Sequence, residues 1–202
     1  MKKIGVMGGT FNPIHNGHIK LAKAAKRIFK LSKVIFVPTG IPPHKDTTYL
    51  AGKEQRFKMV KMAIKGIKNI EISRIEMNRP GYSYAIDTFN LLRKKYGKKI
   101  DLYYIMGLDS INEILSWKKP IELLKICKFI VATRPKAKMR TFKRVMKFPP
   151  IKQYVSHVQL IELHMGISSS EIREKIKKGR IPKKYLPKAV AKYIENNGLY
   201  GK

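Results

Sequence analysis

Apolar residues in this chain fall into two spacings. Ile4 to Met7, Val34 to Val37, Leu102 to Met106 and Phe129 to Ala132 are short, nearly unbroken apolar runs, and Val158 to Leu163 alternates. Such runs, bounded by glycine, proline or charge, predict strands, with a further one near Ile70 to Ser73. Between the first two runs, Ile19, Leu21, Ala22, Ala25, Ile28 and Phe29 recur at three- and four-residue steps with lysines between them, which predicts a helix over Ile19 to Phe29. Further helices are expected from about Gly52 to Ala63 or Lys65, up to about Tyr96, and from Ala189 to Asn196. Strand, helix and strand at these distances make βαβ units, so the expected fold class is α/β.

The stretch joining the first strand to the first helix carries the densest candidate chemistry: Gly8-Gly9-Thr10-Phe11-Asn12-Pro13-Ile14-His15-Asn16-Gly17-His18. Gly8 and Gly9 bring bare backbone N–H groups against an anion, and the following helix N-terminus adds partial positive charge. His15 and His18 are three apart and face the same way if both lie on the first turn. Two histidines alone make an incomplete metal site, and no further Cys or His cluster completes it, so phosphate chemistry is the expectation.

Other loops follow the same logic. Pro42-Pro43-His44-Lys45 fixes a turn beyond the second strand, on the side where open parallel sheets bind ligands, and Lys45 there can reach a phosphate. Pro80-Gly81 is a turn, and Ser83 or a neighbour is expected to cap the next helix. Gly107-Leu108-Asp109 ends the strand Leu102 to Met106, with Asp109 suited either to accept from a ribose hydroxyl or to cap a helix. Trp117 is either a stacking surface or a core residue. Arg134 leaves the end of the strand Phe129 to Ala132. Ser168 and Glu171 have capping-box spacing, Ser169 can donate a hydroxyl to an anion at that helix start, and Arg173 adds a bidentate charge one turn in. Gly179 ends this helix.

Composition narrows the setting. A chain of 202 residues with 44% hydrophobic content is long enough for one domain with a sizeable core, and residues 1–202 are read as one domain. No apolar run is long enough to span a membrane, and the run after Met1-Lys2-Lys3 is too short for a signal peptide, so the expected location is the cytoplasm. Cys127, the only cysteine, sits in an apolar stretch and is expected in the core, inert. The net charge of +31 is carried mainly by lysines spread along the whole chain. With no aromatic-interleaved RNA-binding motif, it reads as a field that gathers anionic nucleotides rather than as a specific nucleic-acid site. The basic segment 136–147 is either a helix or a mobile flap, closed by Pro149-Pro150.

The Gly8 to His18 motif resembles the signature of the nucleotidyltransferase superfamily named for its His-x-Gly-His sequence. That resemblance implies a Rossmann-like, doubly wound, mainly parallel sheet with helices on both faces, and transfer of an NMP group from a nucleoside triphosphate. Ile41-Pro42-Pro43-His44-Lys45 is similar to a loop of nicotinate mononucleotide adenylyltransferases. Ser83-Tyr84-Ala85-Ile86-Asp87-Thr88 resembles their Ser-Tyr-Thr-x-Asp-Thr, a segment whose backbone contacts the pyridine carboxyl group, with Ala85 in place of Thr. Gly107-Leu108-Asp109-Ser110 followed by Trp117, Ile167 to Arg173, and Tyr193 to Tyr200 match that family too, with Asn12 where Asp is usual.

The resemblance implies transfer of an adenylyl group from ATP to nicotinate mononucleotide, with Mg²⁺ bridging phosphates and His15, His18, Lys45 and Arg173 handling charge. ATP contacts fall on Gly8, Gly9, Thr10, Phe11, His18, Gly107, Asp109, Arg134, Ile167, Ser168, Ser169 and Arg173. The mononucleotide falls on Thr10, His44, Lys45, Tyr84, Ala85 and Trp117. Nicotinamide mononucleotide and phosphopantetheine are alternative acceptors; the length, Trp117 and the Ser83-Tyr84 segment argue against the latter, and side chains leave acid against amide open. From another class, a nucleic-acid-binding or nucleotide-sensing module on a dead fold is disfavoured by two intact phosphate signatures. No membrane partner is implied, and homo-oligomerisation is left open.

Overall fold

Ile4 and Val6 pack on one side of a sheet and Met7 on the other, and this alternation recurs in neighbouring strands: Ile35 and Val37 against Val34 and Phe36, Leu102 and Met106 against Tyr103 and Ile105. Both faces are therefore apolar, which is why these strands read as runs rather than as alternating patterns. The computed structural model describes residues 2–43, 49–133, 139–163 and 166–201. Its strands are β1 (Lys2–Gly9), β2 (Lys33–Pro38), β3 (Ile70–Ile72), β4 (Ile100–Gly107), β5 (Lys128–Thr133) and β6 (Val158–Glu162). Several run a residue or more beyond their apolar cores, because backbone pairing extends past the apolar residues: Lys2 and Lys3 pair with Ile100 and Asp101.

Among the described residues these strands form one sheet in the order β3-β2-β1-β4-β5-β6. Every neighbouring pair is parallel, so the sheet is wholly rather than mainly parallel. The chain winds outward from β1 to β3, then returns to the other side of β1 and winds outward from β4 to β6. This doubly wound order leaves a crevice between the carboxyl ends of β1 and β4, where the connections diverge.

Two layers of helices cover the sheet. One contains α1 (Asn16–Ile28), α2 (Lys53–Ile64), α8 (Ser169–Lys177) and α9 (Lys188–Asn196); the other contains α3 (Ala85–Tyr96), α4 (Leu108–Asn112), α5 (Pro120–Ile126), α6 (Met139–Lys147) and α7 (Pro149–Lys152). Within the described part of segment 136–147, the helix alternative holds: α6 buries Phe142, Val145 and Met146 in the core. Pro149-Pro150 does not merely close that segment; the two prolines open α7, as proline suits a first helical turn. Gly179 follows α8 with φ +73°, the left-handed conformation expected at a helix end.

Cys127 is buried, its Sγ facing the Leu123 carbonyl oxygen at 3.4 Å, and burial pushes its thiol well above the ordinary range. The thiolate is disfavoured there, which fits an inert core residue. None of the described helices is long and apolar enough to cross a membrane.

Candidate active site

At the crevice between β1 and β4 lies a cavity of about 550 Å³. Gly8, Gly9, Thr10, Phe11, His18, Gly107, Ser169 and Arg173 all line it, together with Asn12 and Tyr49. The sheet ends thus bring together most of the residues assigned to ATP from sequence, although Arg173 lies 161 positions after Asn12, whose carbonyl its Nη1 meets.

The two histidines form a reciprocal cap on α1. The Gly17 N–H donates to His15 Nδ1 at 3.2 Å, and the His15 N–H donates to His18 Nδ1 at 3.2 Å. A ring nitrogen that accepts carries no proton, so the remaining ring N–H of each histidine is at Nε2. The rings lie 3.8 Å apart between centroids, and the Phe11 ring meets His18 edge-on at 5.1 Å. The spacing argument holds for the pair, but their positions differ: His18 lines the cavity, whereas His15 is 2% exposed and sits behind it as the helix cap.

The second phosphate signature docks against the first. Ser168 and Glu171 make the expected capping box at the start of α8. The Ser169 hydroxyl, assigned as a donor to an anion, instead donates to the Pro13 carbonyl oxygen at 3.0 Å, because the Asn12-Pro13 turn passes within reach and its oxygen needs a partner. Its lone pairs remain, but its proton is committed. Arg173 donates from Nη1 to the Asn12 carbonyl oxygen at 2.8 Å and from Nη2 to Ser170 Oγ at 3.3 Å. Ile167 packs its side chain in the core, and neither it nor Ser168, both assigned to ATP from sequence, lines the cavity. Asp109 is exposed in the first turn of α4, outside that lining, and makes no cap hydrogen bond. His44, Lys45 and Arg134 lie outside the described residues.

A second cavity, about 140 Å³, is lined by Pro43, Ser83, Tyr84, Ala85, Tyr104, Trp117 and Lys118. It gathers Tyr84, Ala85 and Trp117, three of the residues assigned to the mononucleotide; Thr10 stands in the larger cavity. Trp117 is therefore not sealed in the core, and its ring lies 5.9 Å from that of Tyr104. Gly8, in the lining of the larger cavity, meets Tyr104, in that of the smaller: a Cβ at Gly8 would lie 2.9 Å from the Tyr104 hydroxyl, so glycine lets this strand end and that ring approach so closely. Ser83 does not cap α3, whose N-cap is Tyr84 with no side-chain bond; its Oγ accepts from the Gly40 N–H at 3.1 Å, tying the turn after β2 to the smaller cavity.

The profile of the cytidylyltransferase-like family matches residues 6–175. A protein of Thermoanaerobacter sp. (strain X514) named probable nicotinate-nucleotide adenylyltransferase is 43% identical over 201 residues, 99% of this chain and 95% of its own length. The chain belongs to the nicotinate-nucleotide adenylyltransferase family. A second member, from Moorella thermoacetica, is 42% identical over 98% of this chain and 91% of its own. The fold matches that of Plasmodium falciparum nicotinic acid mononucleotide adenylyltransferase complexed with NaAD, with TM-score 0.79, 22% identity and 99% and 98% of the two chains covered.

Sequence reasoning about this adenylyltransferase family member missed the supports of the site. Arg56, 1% exposed, donates to four carbonyl oxygens, those of Ala51, Thr10, Thr39 and Gly40, at 2.7 to 3.0 Å. It holds the turns after β1 and β2 and the start of α2 as one unit, and burial lowers its pKa. Asn12, the departure from the family's usual Asp, accepts from the Ala51 N–H at 3.1 Å and donates to the Tyr49 carbonyl oxygen at 2.9 Å. An amide makes both bonds; a carboxylate could only accept. Glu76 is buried beside Thr88, whose hydroxyl donates to it at 2.7 Å, and burial raises its carboxyl pKa. Nothing in the local sequence marks Arg56 or Glu76, because their partners are backbone atoms or residues on other elements.

Proposed function

We propose that this chain transfers the adenylyl group of ATP to nicotinate mononucleotide, yielding nicotinate adenine dinucleotide and pyrophosphate in NAD biosynthesis. The observation that carries this reading is the pair of cavities whose linings meet at the Gly8–Tyr104 contact: one walled by donor groups and the start of α8, the other by aromatic rings. The first suits a triphosphate, the second a flat pyridine ring.

The acceptor's phosphate oxygen attacks the ATP α-phosphorus. A P–O bond forms as the bond from the α-phosphorus to the bridging oxygen breaks, and pyrophosphate leaves with that electron pair. The nucleophile is already ionised at neutral pH, so no general base is needed; the work is alignment and charge neutralisation. His18, with its proton on Nε2, the Arg173 guanidinium, and the first turn of α8 supply donors towards the reacting phosphates. His15 positions His18. Lys45, with His44 beside it, is assigned to the mononucleotide phosphate and Arg134 to ATP on the sequence resemblance.

Among the described residues, the lining of the larger cavity is rich in donors and contains no carboxylate, which suits phosphate rather than a metal cage built by the protein. Mg²⁺ accompanying ATP would supply further charge neutralisation beside His18 and Arg173. Residues 1–202 act as one domain in this reading, and the reaction is placed in the cytoplasm.

Pyrophosphate release with Mg-ATP tests the reading against three acceptors: nicotinate mononucleotide, nicotinamide mononucleotide and phosphopantetheine. Preferred use of the nicotinate acid is expected. Release with none of the three would overturn the function.

A further inference from the structure

Selection between an acidic pyridine ring and its amide is the one part of this reaction that the family motifs do not assign to a side chain here. Ala85 has no hydroxyl to offer, and the Ser83 hydroxyl accepts from the Gly40 N–H and is hydrogen-bonded to the buried Glu76 carboxyl. Among the described residues Lys118 is the only cation lining the smaller cavity, and no carboxylate of theirs lines it.

Lys118 is held in place rather than left to wander. Its Nζ sits 4.5 Å from the centroid of the Tyr84 ring, which itself lines the cavity, and 3.4 Å from Asp87 Oδ2 in the first turn of α3. Asp87 is shared: Arg79 Nη1 approaches the same oxygen at 3.4 Å. Two cations on one carboxylate leave the cluster net positive. The same cavity reaches the start of α3, whose first turn has no side-chain cap, so its backbone N–H groups and helix dipole add to the positive potential. An anion bound on the aromatic walls gains from both, whereas a neutral amide gains from neither to the same degree.

We infer that Lys118, clasped by Asp87 over the Tyr84 ring, is the specificity-determining residue that favours a pyridine carboxylate over a pyridine carboxamide. This rests on the adenylyl-transfer reading above and adds the discriminating residue. The pyridine substituent is remote from the phosphate that reacts. Lys118 therefore contributes binding that is equal in ground and transition states, which appears in KM rather than in kcat.

The test measures kcat and KM for nicotinate and nicotinamide mononucleotides, with saturating Mg-ATP, in the parent enzyme, Lys118→Met and Lys118→Arg. Lys118→Met should raise KM for the acid and lower the acid-to-amide ratio of kcat/KM about tenfold, the scale of one partly exposed charge-assisted contact. Lys118→Arg, which keeps the charge, should retain most of the preference. A ratio in Lys118→Met within about twofold of the parent overturns the assignment, as does an equal loss on both substrates; in either case the adenylyl-transfer reading stands. Absence of turnover of both mononucleotides by the parent enzyme overturns that reading, and the assignment with it.

Discussion

Arg173 donates from Nη1 to the main-chain oxygen of Asn12 at 2.8 Å, joining the helix start of one phosphate signature to the turn of the other. The residue assigned to neutralise charge on the transferred phosphate thus also holds the glycine-rich turn in place. A planar fork can do both at once, since one nitrogen binds the loop while others remain for phosphate; an ammonium offers a single point.

Arg173→Lys should therefore recover little of the loss in Arg173→Ala. We expect both variants to lower kcat/KM for ATP by about 10²-fold, the scale for removing one charge-stabilising donor, with Arg173→Lys within about tenfold of Arg173→Ala. Steady-state pyrophosphate release checks this; near-normal activity in Arg173→Lys would show that charge alone suffices.

His18 has two separable duties. Its Nδ1 caps α1 and its Nε2–H is assigned to phosphate, so His18→Ala should lower turnover by about 10²-fold or more and also cost about 1 kcal/mol of stability through the lost cap. Gln is the usual capping-box partner at this position, so His18→Gln should keep the stability and still lose the turnover. Denaturant midpoints beside initial rates separate the two; a fully active His18→Gln would remove the imidazole from the mechanism.

Arg56 serves structure rather than chemistry. Arg56→Met removes the donor to four carbonyl oxygens in a buried position, and the expected destabilisation is about 3 kcal/mol or more, because those oxygens lose their partner without gaining water. Urea unfolding measures it. A loss below about 1 kcal/mol would mean that water replaces the guanidinium.

Glu76 predicts a pH dependence. Burial raises its carboxyl pKa above the ordinary value of 4.5, so the folded chain holds this proton more tightly than the unfolded one. Its contribution to stability is fully present below the ordinary carboxylate range and is lost as pH rises through the raised value. Glu76→Gln carries no such proton and can still accept from Thr88. The variant should gain stability relative to the parent as pH rises from about 4 to about 8, read from denaturant midpoints; a pH-independent difference would show that Glu76 titrates normally.

The strands, most helix positions, the glycine-rich turn and the Ser168–Glu171 capping box were legible in the sequence because each depends on local chemistry. Apolar runs form strands buried on both faces. Glycine before a helix leaves backbone N–H groups open, and Ser168 with Glu171 caps at a fixed spacing. Local reasoning failed where the partner of a side chain lies elsewhere in the chain. Ser83 had the composition of a cap, but Gly40 claimed its oxygen; Ser169 had that of an anion donor, but the Pro13 carbonyl took its proton. Arg56 and Glu76 carry no local mark in helical or turn sequence, and only tertiary packing buries them. The amino-acid sequence by itself determined the elements, the glycine-rich turn and the capping at His15, His18, Ser168 and Glu171, since these follow from spacing and side-chain type. The tertiary structure alone decided which hydroxyls and carboxylates are already engaged and which loops are tied together, and it set Lys118 beside the aromatic cavity, because those outcomes depend on contacts between residues far apart in the chain.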